Sequence, residues 1–216
     1  MTDHPTKRGR HRVPAPRPVG GGLRGEAAIR DRGGRHSAGH LVGAALPRIS
    51  LPATDGSDVR LDEYDAQTTV VFAYPRTGRP GEEPPGGREA WEAIPGAAGC
   101  TAEACGYRDH FAEYRQLGVR VFVLSTQGPA YQREAANRLA LPYPLLSDER
   151  LQLAQALGLP HWSYRGVTLL RRLTFVVRNG VIAWVEYPVF PPEDDADRVL
   201  GWLRANAPAG GTESRE

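Results

Sequence analysis

An α/β sandwich built on a mixed sheet is the fold this sequence predicts, and three observations carry the prediction. Two apolar, β-branched runs, Thr69-Val-Val-Phe-Ala-Tyr74 and Val119-Arg-Val-Phe-Val-Leu124, read as buried strands. Helix-spaced segments separate the strand-like runs, as an alternating arrangement requires. Near the end, Leu173-Thr-Phe-Val-Val177 and Val181-Ile-Ala-Trp-Val185 flank Arg178-Asn-Gly180, whose Asn-Gly pair is the signature of a tight hairpin turn.

The elements follow in order. The strand at 69–74 stops at Pro75, which lacks the N–H a ladder needs. Residues 76–99 are rich in Gly and Pro and read as a long inserted loop. Residues 101–117 carry Ala102, Cys105, Phe111, Tyr114 and Leu117 at near-helical spacing and end at Gly118, which predicts one helix of about four turns. The strand at 119–124 precedes a helix near 131–139, a strand-like Tyr143-Pro-Leu-Leu146 and a helix over 148–157. A last helix, 194–204, follows the hairpin.

Composition bounds the rest. With 216 residues, 40% hydrophobic and 24% charged, the chain suits one globular domain with some unpacked segment. Nine Lys or Arg against three acids in residues 1–36 leave that stretch with six excess positive charges, so with +2 overall the remainder carries −4. The stretch is basic, yet no aromatic is interleaved to stack on bases, and nucleic acid is not an expected partner. Residues 1–40 show no strand or helix period and are expected to form a disordered basic tail, with a second disordered tail over 206–216; the domain between them is expected at 41–205. No run approaches the ~18 apolar residues of a membrane span, and the basic start lacks the apolar stretch of a signal peptide. A cytoplasmic protein that does not engage membranes, monomeric or weakly dimeric, is expected.

Two cysteines cannot make a disulfide framework for this length, so they are buried thiols or working ones. Cys100 falls after Ala-Ala-Gly99 at the predicted start of a helix, where free N–H groups and the helix dipole favour a thiolate. Cys105 follows five residues on. On an intact helix their Cα atoms would be about 8–9 Å apart, beyond the ~7 Å limit for a disulfide, so bonding them requires the first turn to unwind.

Gly99-Cys-Thr-Ala-Glu-Ala-Cys105 with Tyr107-Arg-Asp109 resembles the active-site helix of peroxiredoxins of the bacterioferritin comigratory, or Q-type, group. Further blocks agree in order: Leu51-Pro-Ala-Thr-Asp-Gly56, Val70-Val-Phe-Ala-Tyr-Pro75, Leu141-Pro-Tyr-Pro-Leu-Leu-Ser-Asp148 and Arg172-Leu-Thr-Phe-Val-Val177. The resemblance implies a thioredoxin-like fold and a thiol peroxidase for hydrogen peroxide or organic hydroperoxides, without metal, haem or other cofactor. It implies that Cys100 is the peroxidatic cysteine and Cys105 the resolving one, that Arg172 stabilises thiolate and peroxide, and that Pro75 opens the active-site loop. The implied reductant is thioredoxin or a similar dithiol.

The chain also departs from the pattern. The family places a threonine three residues before its cysteine; here that residue is Ala97, and about eighteen extra residues separate Pro75 from Cys100. Thr77 and Thr101 are the substitutes within reach of the sequence. With that hydroxyl in question, a redox-switched binding module and a thiol oxidoreductase for a specialised small molecule stand as alternatives. Elsewhere, Glu103 reads as a first-turn acid that suits the helix dipole, with proton transfer near Cys100 as the alternative, Arg171 as a surface charge, Trp91 as a packing anchor, a cover for the site or a partner contact, and His161, Trp162 and Tyr164 as loop residues that border a pocket. His110 completes Cys-x4-Cys-x4-His, but that lacks the short spacing and fourth ligand of structural zinc.

Overall fold

The structure is a computed structural model that describes Met1 and residues 37–63 and 67–207. Of the tails expected at 1–40 and 206–216, residues 2–36 and 208–216 lie outside the described residues.

The central sheet has five strands in the order β5-β4-β3-β8-β9. Strand β3 (Thr69–Ala73) pairs in parallel with β4 (Arg120–Ser125), and β4 in parallel with β5 (Leu145–Ser147). On its other side β3 pairs antiparallel with β8 (Leu173–Arg178), which pairs with β9 (Val181–Glu186). All five residues of β3 are buried, as a central strand covered on both faces demands. Alternation sends Val71 and Ala73 to one core, with Leu51, Leu153 and Leu157, and sends Val70, Phe72 and Tyr74 to the other, with Cys100, Tyr107 and Leu200.

The predicted hairpin turn is present: Asn179 and Gly180, with φ of 52° and 71°, join β8 to β9. Both values lie in the left-handed region that a type I′ turn requires.

Two helices differ from expectation. The helix over 101–117 is two helices, α2 (Cys100–Asp109) and α3 (Phe111–Gln116), broken at His110. There the imidazole bridges Glu113 at 2.7 Å and Asp197 of α6 (Asp195–Ala205) at 3.1 Å, a contact that local periodicity does not encode. The helix expected from 148 starts later, as α5 (Gln152–Leu157), because the Asp148 carboxylate accepts from the N–H groups of Leu153 (3.1 Å) and Ala154 (2.8 Å) and itself stays outside. Packing is also present just ahead of Leu41: Ala38 is buried, and the His40 imidazole meets the carbonyls of Leu157 and Gly158.

Two hairpins flank the sheet, β1 (Ser50–Pro52) with β2 (Asp58–Arg60), and β6 (His161–Tyr164) with β7 (Val167–Leu170). The helix α4 (Pro129–Arg138) packs near β5, Gln132 donating to the Leu146 carbonyl at 3.2 Å. The inserted segment 76–99 is not wholly a loop: it holds the short helix α1 (Arg88–Glu92), which buries Trp91.

Candidate active site

Cys100 opens α2 because Gly99 before it has φ 97°, a left-handed conformation that brings the chain sharply into the helix. A side chain on Gly99 would also run into the Pro192 ring, so the position needs glycine twice over. The Cys100 sulfur is nearly enclosed, at 4% exposure for the residue, and lies 3.6 Å from the Ala97 carbonyl. Both Cys100 and Cys105 are free thiols on one unbroken helix, the geometry in which they cannot bond.

Arg172, buried immediately before β8, reaches this sulfur from the end of the strand that pairs with β3 from Leu173 on. Its Nη2 lies 3.2 Å from Cys100 Sγ, and also donates to the carbonyls of Ala98 (2.8 Å) and Gly96 (3.3 Å). Its Nη1 pairs with Glu103 Oε2 one turn into α2. Glu103, a first-turn acid of α2, is a buried partner of the same guanidinium. The signal for it, Glu at the third position after Cys100, was present; its burial depended on where α2 docks.

One cation thus faces two acids. Burial pushes the Cys100 thiol up, the Arg172 charge pulls it down, and the Glu103 charge raises it again, leaving it above the ordinary thiol value. Burial thus works against the thiolate that the helix terminus and the guanidinium favour. Burial holds Glu103 well above the usual carboxylate range, against the pull of Arg172. Burial also works against the Arg172 charge, but Cys100 and Glu103 outweigh it, so the guanidinium keeps its proton.

The remaining candidates separate. Pro75 lies two residues past β3, its carbonyl accepting from Ser125 Oγ at 3.4 Å, and lines a small pocket together with Arg172. Thr77 is not brought to the thiol cavity: it is buried, its N–H and hydroxyl both directed to Gln127 Oε1 at 2.8 and 3.3 Å. Thr101 does line the cavity with Cys100, and is exposed there. Ala97 is buried in a cluster with Trp91, Trp162, Tyr164 and Leu169. Trp162 and Tyr164 are core residues of the β6–β7 hairpin rather than loop surface, while His161 is exposed.

A cavity of about 580 Å³ opens over the two cysteines. Its floor is the start of α2 and its facing wall is the inserted segment, with Arg76, Arg88, Trp91 and Glu92 among the lining residues. The segment is held at both ends: Trp91 packs on Trp162 and Tyr164 at ring separations of 5.9 and 5.8 Å, and Arg76 bonds the Tyr131 hydroxyl at 2.9 Å. Among the described residues no group of His, Cys, Asp and Glu could hold a metal ion, and no helix is long and apolar enough to cross a membrane.

Comparison with known proteins agrees with this geometry. The family model described as Redoxin matches residues 41–200. Peroxiredoxin Bcp of Escherichia coli K12 is 32% identical over 172 residues, covering 77% of this chain and 97% of that protein. The chloroplastic peroxiredoxin Q of Gentiana triflora is 30% identical over 164 residues, covering 76% of this chain; the match spans 66% of the plant protein. The crystal structure of peroxidoxin BcpB from Mycobacterium tuberculosis superposes with a TM-score of 0.63 at 26% identity, covering 78% of this chain and 99% of that one. A peroxiredoxin Q structure from Xanthomonas campestris shares the fold at TM-score 0.63 and 20% identity. The chain belongs to the Redoxin family, within its peroxiredoxin Q/Bcp group, and has that group's thioredoxin-like fold.

Proposed function

We propose that this peroxiredoxin is a thiol-dependent peroxidase in which Cys100 is oxidised by peroxide and Cys105 resolves the product. The observation that carries the reading is the contact of Arg172 Nη2 with Cys100 Sγ at 3.2 Å in a buried pocket.

Loss of its proton leaves Cys100 as a thiolate held by the guanidinium. The thiolate attacks the nearer peroxide oxygen; the O–O bond breaks, the sulfur becomes a sulfenic acid, and the departing oxygen leaves as water or an alcohol after protonation. Arg172, fixed before the reaction, stabilises charge as it passes from sulfur to the leaving oxygen. Thr101 is the hydroxyl at the cavity able to meet a bound peroxide, in place of the residue that Ala97 lacks. Hydrogen peroxide fits readily, since each oxygen needs about 30 Å³ as water does in the liquid; the remaining space admits the alkyl part of an organic hydroperoxide.

The first turn of α2 then unwinds, Cys105 attacks the sulfenic sulfur, and water leaves as the disulfide forms. A thiol reductant restores both cysteines; thioredoxin or a similar dithiol is the reading we favour for it. A cytoplasmic location, with its reducing thiol pool, suits the cycle, and a monomer or weak dimer is sufficient because both cysteines lie on one helix.

The test is substoichiometric hydrogen peroxide on the reduced protein, with peptide mass spectrometry of the wild type, Cys100→Ser and Cys105→Ser. A Cys100–Cys105 disulfide in the wild type and a Cys100 sulfenic acid in Cys105→Ser are expected. Reaction of Cys100 at the rate of a free thiol sinks the proposal and leaves the binding-module reading.

A further inference from the structure

We infer that Asp195, at the start of α6, is a positioning residue for disulfide formation: through the Tyr107 hydroxyl it holds the second half of α2 in place, so that Cys105 stays fixed while Cys100 alone travels. The inference rests on the peroxidase reading and adds to it which of the two cysteines moves.

The helix α2 is held by two separate ties, and both run to one edge of β8. Arg172, just before the strand, grips the first turn: it meets Cys100 Sγ at 3.2 Å, pairs with Glu103 and donates to the Ala98 carbonyl at 2.8 Å. Thr174 is two residues on and therefore on the same face of the strand. Its hydroxyl donates to Asp195 Oδ2 at 2.6 Å, and the Tyr107 hydroxyl donates to that same oxygen at 2.6 Å. Tyr107 in turn lies four residues after Glu103, one turn further along the same face of α2. The first tie holds Cys100 and Glu103; the second holds the turn that carries Cys105.

The second tie is enclosed on every side. Tyr107 and Asp195 are both fully buried, and the Tyr107 ring stacks on Phe72 of β3 with centroids 4.0 Å apart. Gly106 passes so close to the entry of α6 that a Cβ there would sit 3.3 Å from the Glu193 carbonyl and 3.6 Å from the Ala196 Cβ. The Tyr143 hydroxyl donates to the Ala104 carbonyl at 2.5 Å, and Arg108 donates to the Leu139 carbonyl at 2.9 Å. Asp195 Oδ1, by contrast, accepts no hydrogen bond among the described residues and has Arg198 Nη2 3.8 Å away. A carboxyl group this deeply buried, with both of its bonds on one oxygen, is less favourable there than an apolar side chain of the same size. What it contributes is a defined place for the hydroxyl it accepts from.

The two ties answer oxidation differently. Conversion of the thiolate to a sulfenic acid removes the charge on sulfur, and with it the charge assistance of the Arg172 contact. The bonds from Tyr107 and Thr174 to Asp195 involve no sulfur and persist. The first turn is therefore the part released, and the break falls before Tyr107. Cys105, two residues ahead of that anchor, waits as Cys100 swings to it. Its thiol sulfur attacks the sulfenic sulfur, the S–S bond forms, and the thiol proton leaves with the hydroxyl as water.

The test is hydrogen–deuterium exchange on the wild type and on Tyr107→Phe, each reduced and after one equivalent of hydrogen peroxide, with sulfenic acid and disulfide formation timed by rapid-quench mass spectrometry. Tyr107→Phe keeps the ring on Phe72 and deletes only the hydroxyl. In the oxidised wild type, amides 103–105 should open, whereas amides 108–110, whose helix bonds run to the carbonyls of 104–106, should stay as protected as in the reduced protein. Tyr107→Phe is expected to match the wild type when reduced and to form the sulfenic acid at the wild-type rate. Once oxidised it should lose protection through 110 and form the disulfide about five- to tenfold more slowly, the scale of one net hydrogen bond. Opening of 108–110 together with 103–105 in the oxidised wild type overturns the anchor alone, and that pattern decides the question by itself if the variant does not fold. A Tyr107→Phe protein that loses protection equally in both redox forms, or that matches the wild type in both, overturns it too. Absence of a Cys100–Cys105 disulfide in the wild type overturns the resolving reading and the anchor with it.

Discussion

Arg172 Nη2 stands 3.2 Å from Cys100 Sγ while its Nη1 holds Glu103, so a single buried guanidinium answers two acids on the first turn of one helix. Replacing it therefore removes the cation from both. Arg172→Ala is expected to slow oxidation of Cys100 by about 10²–10³-fold, the range seen when one fixed donor to a developing charge is lost. Stopped-flow measurement against hydrogen peroxide reads this directly. Arg171→Ala is the control, and an equal loss there would move the assignment away from Arg172.

Glu103 controls when the thiol ionises. Its charge is one of the causes that raise the Cys100 thiol, after burial. Glu103→Gln keeps an acceptor for Arg172 and deletes the competing charge. The pH profile of Cys100 oxidation should accordingly move to lower pH, because the thiolate no longer shares its cation with a carboxylate. A shift to higher pH would show instead that Glu103 serves mainly as the base that takes the thiol proton.

His110 ties α2, α3 and α6 together, and its pKa is raised by the Glu113 hydrogen bond first and by Asp197 through charge, against burial. A folded-state pKa above the unfolded value of about 6.5 means that the stabilising contribution is complete below that pH and disappears as pH rises through the folded value. Wild type should exceed His110→Gln in urea midpoint by most at pH 5.5 and by least above pH 8. A gap that widens with pH would contradict the bridge.

Trp91 anchors the inserted segment. It is buried against Trp162 and Tyr164, and its removal to alanine should cost about 2–4 kcal/mol, near the low end for buried aromatics because the cluster lies outside the main sheet cores. Amide exchange should accelerate over residues 88–99 before it does in β3. The same variant should form the Cys100–Cys105 disulfide faster, since the wall that braces the start of α2 is loosened; rapid-quench mass spectrometry of the oxidised protein measures it.

Oxidation should leave its own mark on the helix. Both cysteines are on the unbroken α2 (Cys100–Asp109), and a bond between them requires the first turn to open. Exchange at residues 100–104 is expected to rise in the disulfide form and fall again on reduction. A crystal of the oxidised protein with α2 intact through Cys100 and the disulfide made would contradict this.

Much of this molecule was written locally. The strands at 69–73 and 173–178 are continuous apolar runs whose burial needs no partner to be foreseen, and Asn179-Gly180 carries its left-handed turn in its own residue types. The position of Cys100 after Gly99, and its relation to Cys105, also followed from spacing along the chain. The β6–β7 hairpin was missed although His161-Trp-Ser-Tyr164 alternates cleanly between exposed and buried, because four residues are too short a period to separate from loop. Its turn, Arg165-Gly166, lacks the Asn-Gly pair that marked the other hairpin.

What only the tertiary structure decided concerns residues whose partners are distant. Glu103 looks like any first-turn acid until β8 delivers Arg172 to it; His110 looks like mid-helix until α6 supplies Asp197; Thr77 looks available until Gln127 takes both its N–H and its hydroxyl. Burial and charge pairing are properties of the packed whole, because desolvation depends on every atom that displaces water. Helix starts, turns and strand patterns depend on residues a few positions apart, and those the sequence by itself determined.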